Sequence, residues 1–277
     1  MADPYLLPNG TLRNRLEITD ANELCQAETD LAEIRFRRID TEGPTGPFTF
    51  DRLKETHRYL FQDIYDWAGE TRKIDISKDG HSFETRPMIE ARGREITKTL
   101  YQANELKGLS REDFAGKAAD VFGQINQIHP FREGNGRAQR AFIEALALDA
   151  GHQLDFSVVS RERMIQASIE SSAGRPEMMR RLFDEISDPG RIEKLAKATD
   201  FLGRNGFDWN DRYIATTTPG QRYAGVLVGR AGDDVMMRTR HEIFIGHARD
   251  IPDTARPGDN ISFVARLRDS SCSSPPT

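Results

Sequence analysis

The chain has 277 residues, of which 37% are hydrophobic and 30% charged, with a formal net charge of −5 and a pI near 5.8. That length carries about two domains, and the mildly acidic balance argues against a protein whose main task is to coat nucleic acid or an anionic membrane. No apolar run approaches the roughly 18 residues of a membrane-spanning helix, the opening Met1-Ala2-Asp3-Pro4-Tyr5 is unlike a secretory signal, and Cys25 and Cys272 form neither a disulfide framework nor a zinc spacing, which points to a reducing compartment.

Residues 1–187 read as helices. Ala21 to Arg38 places Leu24, Leu31, Ile34 and Ile39 between charges, and Phe50 to Trp67 has Leu53, Leu60, Phe61, Ile64 and Trp67 at helical spacing. Thr71 to Phe83 breaks the pattern: Ile74 and Ile76 alternate with polar residues and Asp79-Gly80 is a hairpin signal, so an exposed two-strand flap is expected. Pro87 to Leu106 is a helix with proline in its first turn, where a missing N–H is harmless. Ser110 with Asp113 resembles a capping box before the stripe Phe114, Ala118, Val121, Phe122, Ile125 and Ile128, which Pro130 stops. A helix from Arg137 to Ala150 closes at Gly151 as a left-handed cap, and two more follow at Ser160–Ser171 and Pro176–Ile186.

The pattern changes after Asp188-Pro189-Gly190. A charged connecting helix spans 188–202, and short strands at Tyr223–Val228, Val235–Thr239, Glu242–Ile245 and Ile261–Leu267 make 203–268 a small antiparallel barrel or sandwich. The tail at 269–277 is small, polar and proline-containing, and is expected to be disordered.

The chemistry concentrates in His129-Pro130-Phe131-Arg132-Glu133-Gly134-Asn135-Gly136-Arg137-Ala138-Gln139-Arg140, between two predicted helices. Gly134, Asn135 and Gly136 can turn successive N–H groups toward one point, an anion nest that opens onto a helix N-terminus. Arg137 and Arg140 share a face of that helix and carry the planar fork that binds phosphate oxygens. Glu133 is poorly suited to touch phosphate but well suited to hold Mg²⁺ beside it, and His129 can accept a proton near neutrality. Singly each has an ordinary explanation: a structural histidine, a turn, a surface ion pair. In order and within twelve residues they describe transfer from a nucleotide to a hydroxyl. Phe131 is read as a core anchor for the loop.

This segment resembles the Fic family motif, His-x-Phe-x-(Asp/Glu)-Gly-Asn-Gly-Arg-x-x-Arg, at every defined position. Leu12-Arg13-Asn14-Arg15-Leu16, the run from Leu60 to Glu70 and the flap before Phe83 are also similar to Fic proteins. Phe207-Asp208-Trp209-Asn210, Pro219-Gly220-Gln221, Gly258-Asp259 and Ile261-Ser262-Phe263 resemble the OB-fold domain that follows Fic in Bartonella-type type IV secretion effectors. The resemblance implies a mostly α Fic fold, a helical bundle with a β-hairpin flap, followed by a small all-β OB-like barrel.

It also implies AMPylation: AMP passes from ATP to a Tyr, Thr or Ser hydroxyl of a target protein. His129 is then the base, Glu133 the Mg²⁺ ligand, Gly134, Asn135 and Gly136 the phosphate cradle, and Arg137 and Arg140 the holders of the β- and γ-phosphates. The flap residues Ile74, Asp75, Ile76, Ser77, Lys78 and Asp79 would bind the target as an added strand. A small GTPase in a host cell and a bacterial topoisomerase are both compatible targets; membrane and nucleic acid are not expected partners. The implied location is the bacterial cytoplasm, with translocation into a host or recipient cell as a toxin or effector. Effectors of this kind continue into a basic secretion domain that these 277 residues do not contain, which leaves a fragment, a shorter relative and a non-secreted protein open.

Many Fic enzymes are held off by a glutamate that pairs with the second motif arginine, on a helix with Ser or Thr four residues before Glu and Gly or Asn after it. Only Glu42-Gly43 and Glu133-Gly134 have the right second residue, and neither has the first. The resemblance thus implies an antitoxin-like partner supplying a glutamate to Arg140, or no inhibition. Other readings are a Fic-fold enzyme that transfers another phosphate-containing group, and a non-catalytic nucleotide-binding scaffold. Gly136 stands where phosphoryl-transferring relatives carry Lys, and an intact His129 has no use in a scaffold.

Overall fold

A computed structural model describes residues 3–78 and 81–266. The Asp79-Gly80 turn, Asp79 as a target contact, Cys272 and the tail at 269–277 lie outside the described residues, and of Lys78 only the backbone is described. The chain packs as two compact units. One comprises residues up to Leu154 with Ser168–Phe183; the other comprises Asp155–Ala167 with the described residues from Asp184 onward.

The first unit is helical. Its elements are α1 (Ala21–Phe36), the short α2 (Ile39–Glu42), α3 (Phe50–Phe61), the strands β1 (Ser77–Lys78) and β2 (His81–Ser82), α4 (Ile89–Gln102), α5 (Arg111–Ile128) and α6 (Asn135–Asp149). The C-terminal part of α7 (Arg161–Ser172) and most of α8 (Glu177–Ile186) belong to it as well. Asp20, Thr49 and Ser110 cap α1, α3 and α5 by accepting N–H bonds in the first turn. The centre is α3 against α6 with α5 alongside, filled by Leu53, Leu60, Phe61, Phe114, Phe122, Phe142 and Leu146, all buried.

Two sequence expectations change here. The helix read from Phe50 to Trp67 stops at Phe61. Tyr65 and Trp67 stack face to face with ring centroids 4.2 Å apart and both are buried. Residues two apart cannot share a helix face, so the chain turns to bury both rings. On α1 the buried positions are Leu24, Glu28 and Ala32, spaced by four, while Ile34 is exposed. The core-facing stripe therefore includes a carboxylate. The flap is present, with Ser77 opposite Ser82 and Lys78 opposite His81 in an antiparallel pair.

In the second unit, α9 (Pro189–Arg204) packs Leu195, Ala198 and Leu202 beside a five-stranded sheet. Its strands are β3 (Tyr213–Thr216), β4 (Arg222–Ala231), β5 (Asp234–Arg238), β6 (Glu242–His247) and β7 (Asn260–Val264), in the order β3-β6-β5-β4-β7. The pairs are antiparallel except β3–β6, which is parallel. Strand β3 is an addition to the four read from sequence. All four of its residues are buried, so it has no alternation to betray it. Arg163 and Glu185, both fully buried, pair at 3.1 Å; Arg163 also donates to Ile214 O, and Glu185 accepts from Thr216 N, which pins β3.

Candidate active site

Helix α5 ends at Ile128 because Pro130 disfavours helical geometry in the residue before it. His129 turns into the left-handed region at φ 46° and ψ 62°, which throws the following loop across the end of the helix. Its ring stacks on Phe83, with centroids 3.8 Å apart and planes 13° from parallel. His129 thus sits against the residue that ends the flap.

The carbonyl of His129 is held by Arg72, a fully buried arginine just before the flap. Arg72 Nε donates to His129 O at 2.9 Å, Nη1 to Ile74 O at 2.7 Å, and Nη2 to Ile128 O at 3.2 Å and to Glu84 O. Its backbone N–H donates to Pro130 O at 2.8 Å. One guanidinium therefore joins both legs of the flap to the C-terminal carbonyls of α5, where the helix dipole favours a cation. Burial pulls its pKa below the usual arginine value, with Asp75 and Glu84 opposing. Among the flap residues read as target contacts, Ile74 and Ile76 are half-buried and Ser77 is exposed. Asp75 is exposed yet accepts the Arg86 N–H at 2.6 Å, so its carboxylate closes the stem.

Beyond His129 the loop is gripped again. Phe131 is buried, as expected of an anchor, and stacks on His57 at 3.9 Å. The Asn135 side chain accepts from Phe131 N at 2.9 Å and donates to Phe131 O at 2.8 Å. It is buried, so its side chain shapes the loop and only its backbone remains for a ligand. His57 Nδ1 accepts from Gly69 N at 2.8 Å, and its Nε2 lies 2.9 Å from Glu133 O. With Nδ1 an acceptor, Nε2 carries the proton and donates. Burial foremost pushes the His57 pKa down to about 3, so the ring is neutral.

The anion end follows. Gly134 has φ 79°, and a Cβ there would lie 2.5 Å from the Phe61 ring, so only glycine fits. Lacking a side chain, Gly134 leaves α6 without a side-chain cap, and the first-turn N–H groups point outward. Gly136 is exposed, and a Cβ there would meet nothing within 4 Å. That open space beside bare N–H groups fits a phosphate. Arg137 is one-third exposed and lies over the Phe61 ring at 4.8 Å. Arg140 is half-buried one turn on; burial lowers its pKa foremost and Arg137 adds to this against Glu144, but an arginine stays cationic. Glu133 is exposed and its Oε1 accepts from Gly134 N at 2.9 Å. Among the described residues no cluster of three His, Cys, Asp or Glu could hold a metal. One exposed carboxylate beside a phosphate nest fits Mg²⁺ held mainly by nucleotide and water.

The structure thus brings His129, Glu133, Gly134, Asn135, Gly136, Arg137 and Arg140 into one loop and the first two turns of α6, with the flap stem beside His129. Sequence reasoning missed Arg72, His57 and Glu28. The signal for two of them was present: a histidine among the core-facing residues of α3 and an acid on the buried stripe of α1.

The loop lies between two core helices, α5 and α6, beside the short flap. Residues 47–147 match the Fic/DOC family. The chain is 35% identical over 195 residues to the probable protein adenylyltransferase Fic of Escherichia coli K12, covering 69% of this chain and 96% of that protein. It is 33% identical over 285 residues to a protein adenylyltransferase of Bartonella henselae, covering 94% of this chain; it spans 52% of that relative's length. Among solved structures it is similar to the type IV secretion system effector protein BepA, with a TM-score of 0.86 and 31% identity over 96% of this chain and 97% of that one. The chain belongs to the Fic/DOC family.

Proposed function

We propose that this protein transfers AMP from ATP to a Tyr, Thr or Ser hydroxyl of a target protein, releasing pyrophosphate. The observation that carries the reading is the open cradle at Gly136, flanked by Arg137 and Arg140, in the same loop as His129. The names of the similar adenylyltransferases support it. The α6 N–H groups and the two arginines hold the phosphates and orient the α-phosphorus. His129 takes the proton of the target hydroxyl as its oxygen bonds to that phosphorus. The bond to the β-phosphate bridging oxygen breaks, and pyrophosphate leaves. Mg²⁺, with Glu133 as its protein ligand, would neutralise phosphate charge. Transfer of this kind rests on positioning and charge stabilisation; Arg72, His57 and Asn135 supply the positioning by fixing the loop backbone.

The target lays an extended segment on the flap, through Ile74, Asp75, Ile76, Ser77, Lys78 and Asp79. A host small GTPase and a bacterial topoisomerase are the two target classes. Control comes from a small partner that offers a glutamate to Arg140. Similarity to a secretion effector supports action as a toxin or effector translocated from a bacterial cytoplasm.

The test offers ATP labelled at the α- or the γ-phosphate, with Mg²⁺, to host and to bacterial lysate, beside a His129→Ala control. Label on protein from α-labelled ATP alone, lost in the variant, is the expected result. Transfer from the γ-label replaces AMP transfer with phosphoryl transfer. The lysate that responds selects the target class.

A further inference from the structure

The sequence pattern sought a glutamate on the second motif arginine. The structure puts one on the first. Arg137 Nη2 donates to Glu28 Oε1, and the Tyr65 hydroxyl donates to the other oxygen, Oε2. Glu28 is 8% exposed on the buried face of α1, between Leu24 and Ala32. A carboxylate is rarely kept there unless it is paired. Burial foremost, then the Glu28 charge, raises the Tyr65 pKa, so the phenol keeps its proton and is the donor. The Phe61 ring lies under the Arg137 guanidinium, 4.8 Å from its carbon.

Each contact removes one freedom. The ring restricts the guanidinium's approach, Glu28 Oε1 fixes its rotation, and Tyr65 stops Glu28 from swinging toward solvent. Arginine carries large side-chain entropy, and a pre-set fork loses less of it on binding. The pair with Glu28 uses one of five N–H groups, leaving others toward the exposed side.

We propose that Glu28, oriented by Tyr65, is a positioning residue that pre-sets Arg137 for the β- and γ-phosphates of the nucleotide. This rests on the reading of Arg137 as a phosphate holder. The sign is informative. Glu28 is an anion near the site of a polyanionic ligand, so its charge alone opposes ATP. If it acts by positioning, its removal weakens ATP binding although a negative charge has gone.

The experiment measures binding of Mg²⁺-ATP and of AMP by calorimetry to the full chain and to Arg137→Ala, Glu28→Ala and Tyr65→Phe, with melting temperatures alongside. Arg137→Ala and Glu28→Ala are expected to weaken ATP roughly tenfold, about 1.4 kcal/mol. Tyr65→Phe weakens it a few-fold in the same direction. AMP, which has no β- or γ-phosphate, changes less than about twofold. ATP binding that is unchanged or tighter in Glu28→Ala, with Arg137→Ala still weak, overturns the positioning role alone. AMP and ATP weakened equally does the same, since that marks a general structural loss. ATP binding indifferent to Arg137→Ala overturns the phosphate reading beneath it. Should Glu28→Ala fail to fold, Tyr65→Phe decides: an unchanged ATP affinity overturns the proposal.

Discussion

Each unit of this chain buries an arginine almost completely, and the two are used differently. In the second unit Arg163 meets Glu185, and the pair fastens Ile214 and Thr216 of β3. In the first unit Arg72 donates to four backbone carbonyls that straddle the flap and the His129 end of α5. One is a charge pair that holds architecture. The other is a cation that donates chiefly to carbonyl dipoles, with the exposed Asp75 carboxylate 3.7 Å from its Nη1, and holds the flap against the end of α5. Three other buried polar groups of the first unit are used as Arg72 is: His57, Asn135 and Glu28 each grip an atom of the motif loop or its arginine.

Breaking both arginines should separate the two uses. Arg163→Met leaves Glu185 as an unpaired buried charge, which typically costs about 3–5 kcal/mol. Urea unfolding of the second unit should show that loss, and Arg163→Met with Glu185→Leu should recover much of it, while the proposed AMP transfer, per folded molecule, stays within about twofold. Arg72→Met should act on turnover instead, lowering kcat by about a hundredfold through misplacement of His129 while the ATP dissociation constant moves less than threefold. If Arg163→Met cuts kcat as deeply as Arg72→Met, the distinction between architecture and positioning is wrong.

The fold was largely legible because its signals are local: helical stripes, a proline stop after α5, turn residues between strands. The motif loop was legible because glycine, histidine and paired arginines have few ordinary reasons to stand in that order. What escaped depends on long-range partners. Nothing near Arg72 in sequence announces carbonyls at Ile128 and His129, and Glu28 lies 109 positions from Arg137. Strand β3 escaped because burial on both sides erased its alternation. Ile64 and Trp67 keep a helical spacing in sequence, yet α3 ends at Phe61 and Trp67 stacks on Tyr65 beyond it.

Acid should sharpen the contrast next. His57 has its pKa lowered to about 3 in the folded chain, against about 6.5 for a free histidine. Between those values the unfolded chain binds the proton and the folded chain does not, so this group stabilises the fold fully above pH 6.5 and progressively less toward pH 3. His57→Gln removes that dependence. The difference in melting temperature between wild type and His57→Gln should therefore narrow as pH falls from 7 to 4, by the equivalent of up to a few kcal/mol. Parallel melting curves across that range would mean the imidazole is not held neutral.

The smallest effect on stability is the most specific to function. Gly136 lies in the first turn of α6, with open space where a Cβ would stand. Alanine is a better helix former than glycine by roughly 1 kcal/mol in a helix interior, and less near an end. Gly136→Ala should therefore leave stability unchanged or raise it slightly. Yet the added methyl occupies the space the phosphates are proposed to fill, and ATP binding should weaken several-fold. A protein that gains stability while losing its ligand would show that the glycine serves the nucleotide and not the helix. Unaltered ATP affinity in Gly136→Ala would move the phosphates away from this turn, leaving Gly134, which the Phe61 ring already requires to be glycine, with a purely structural explanation.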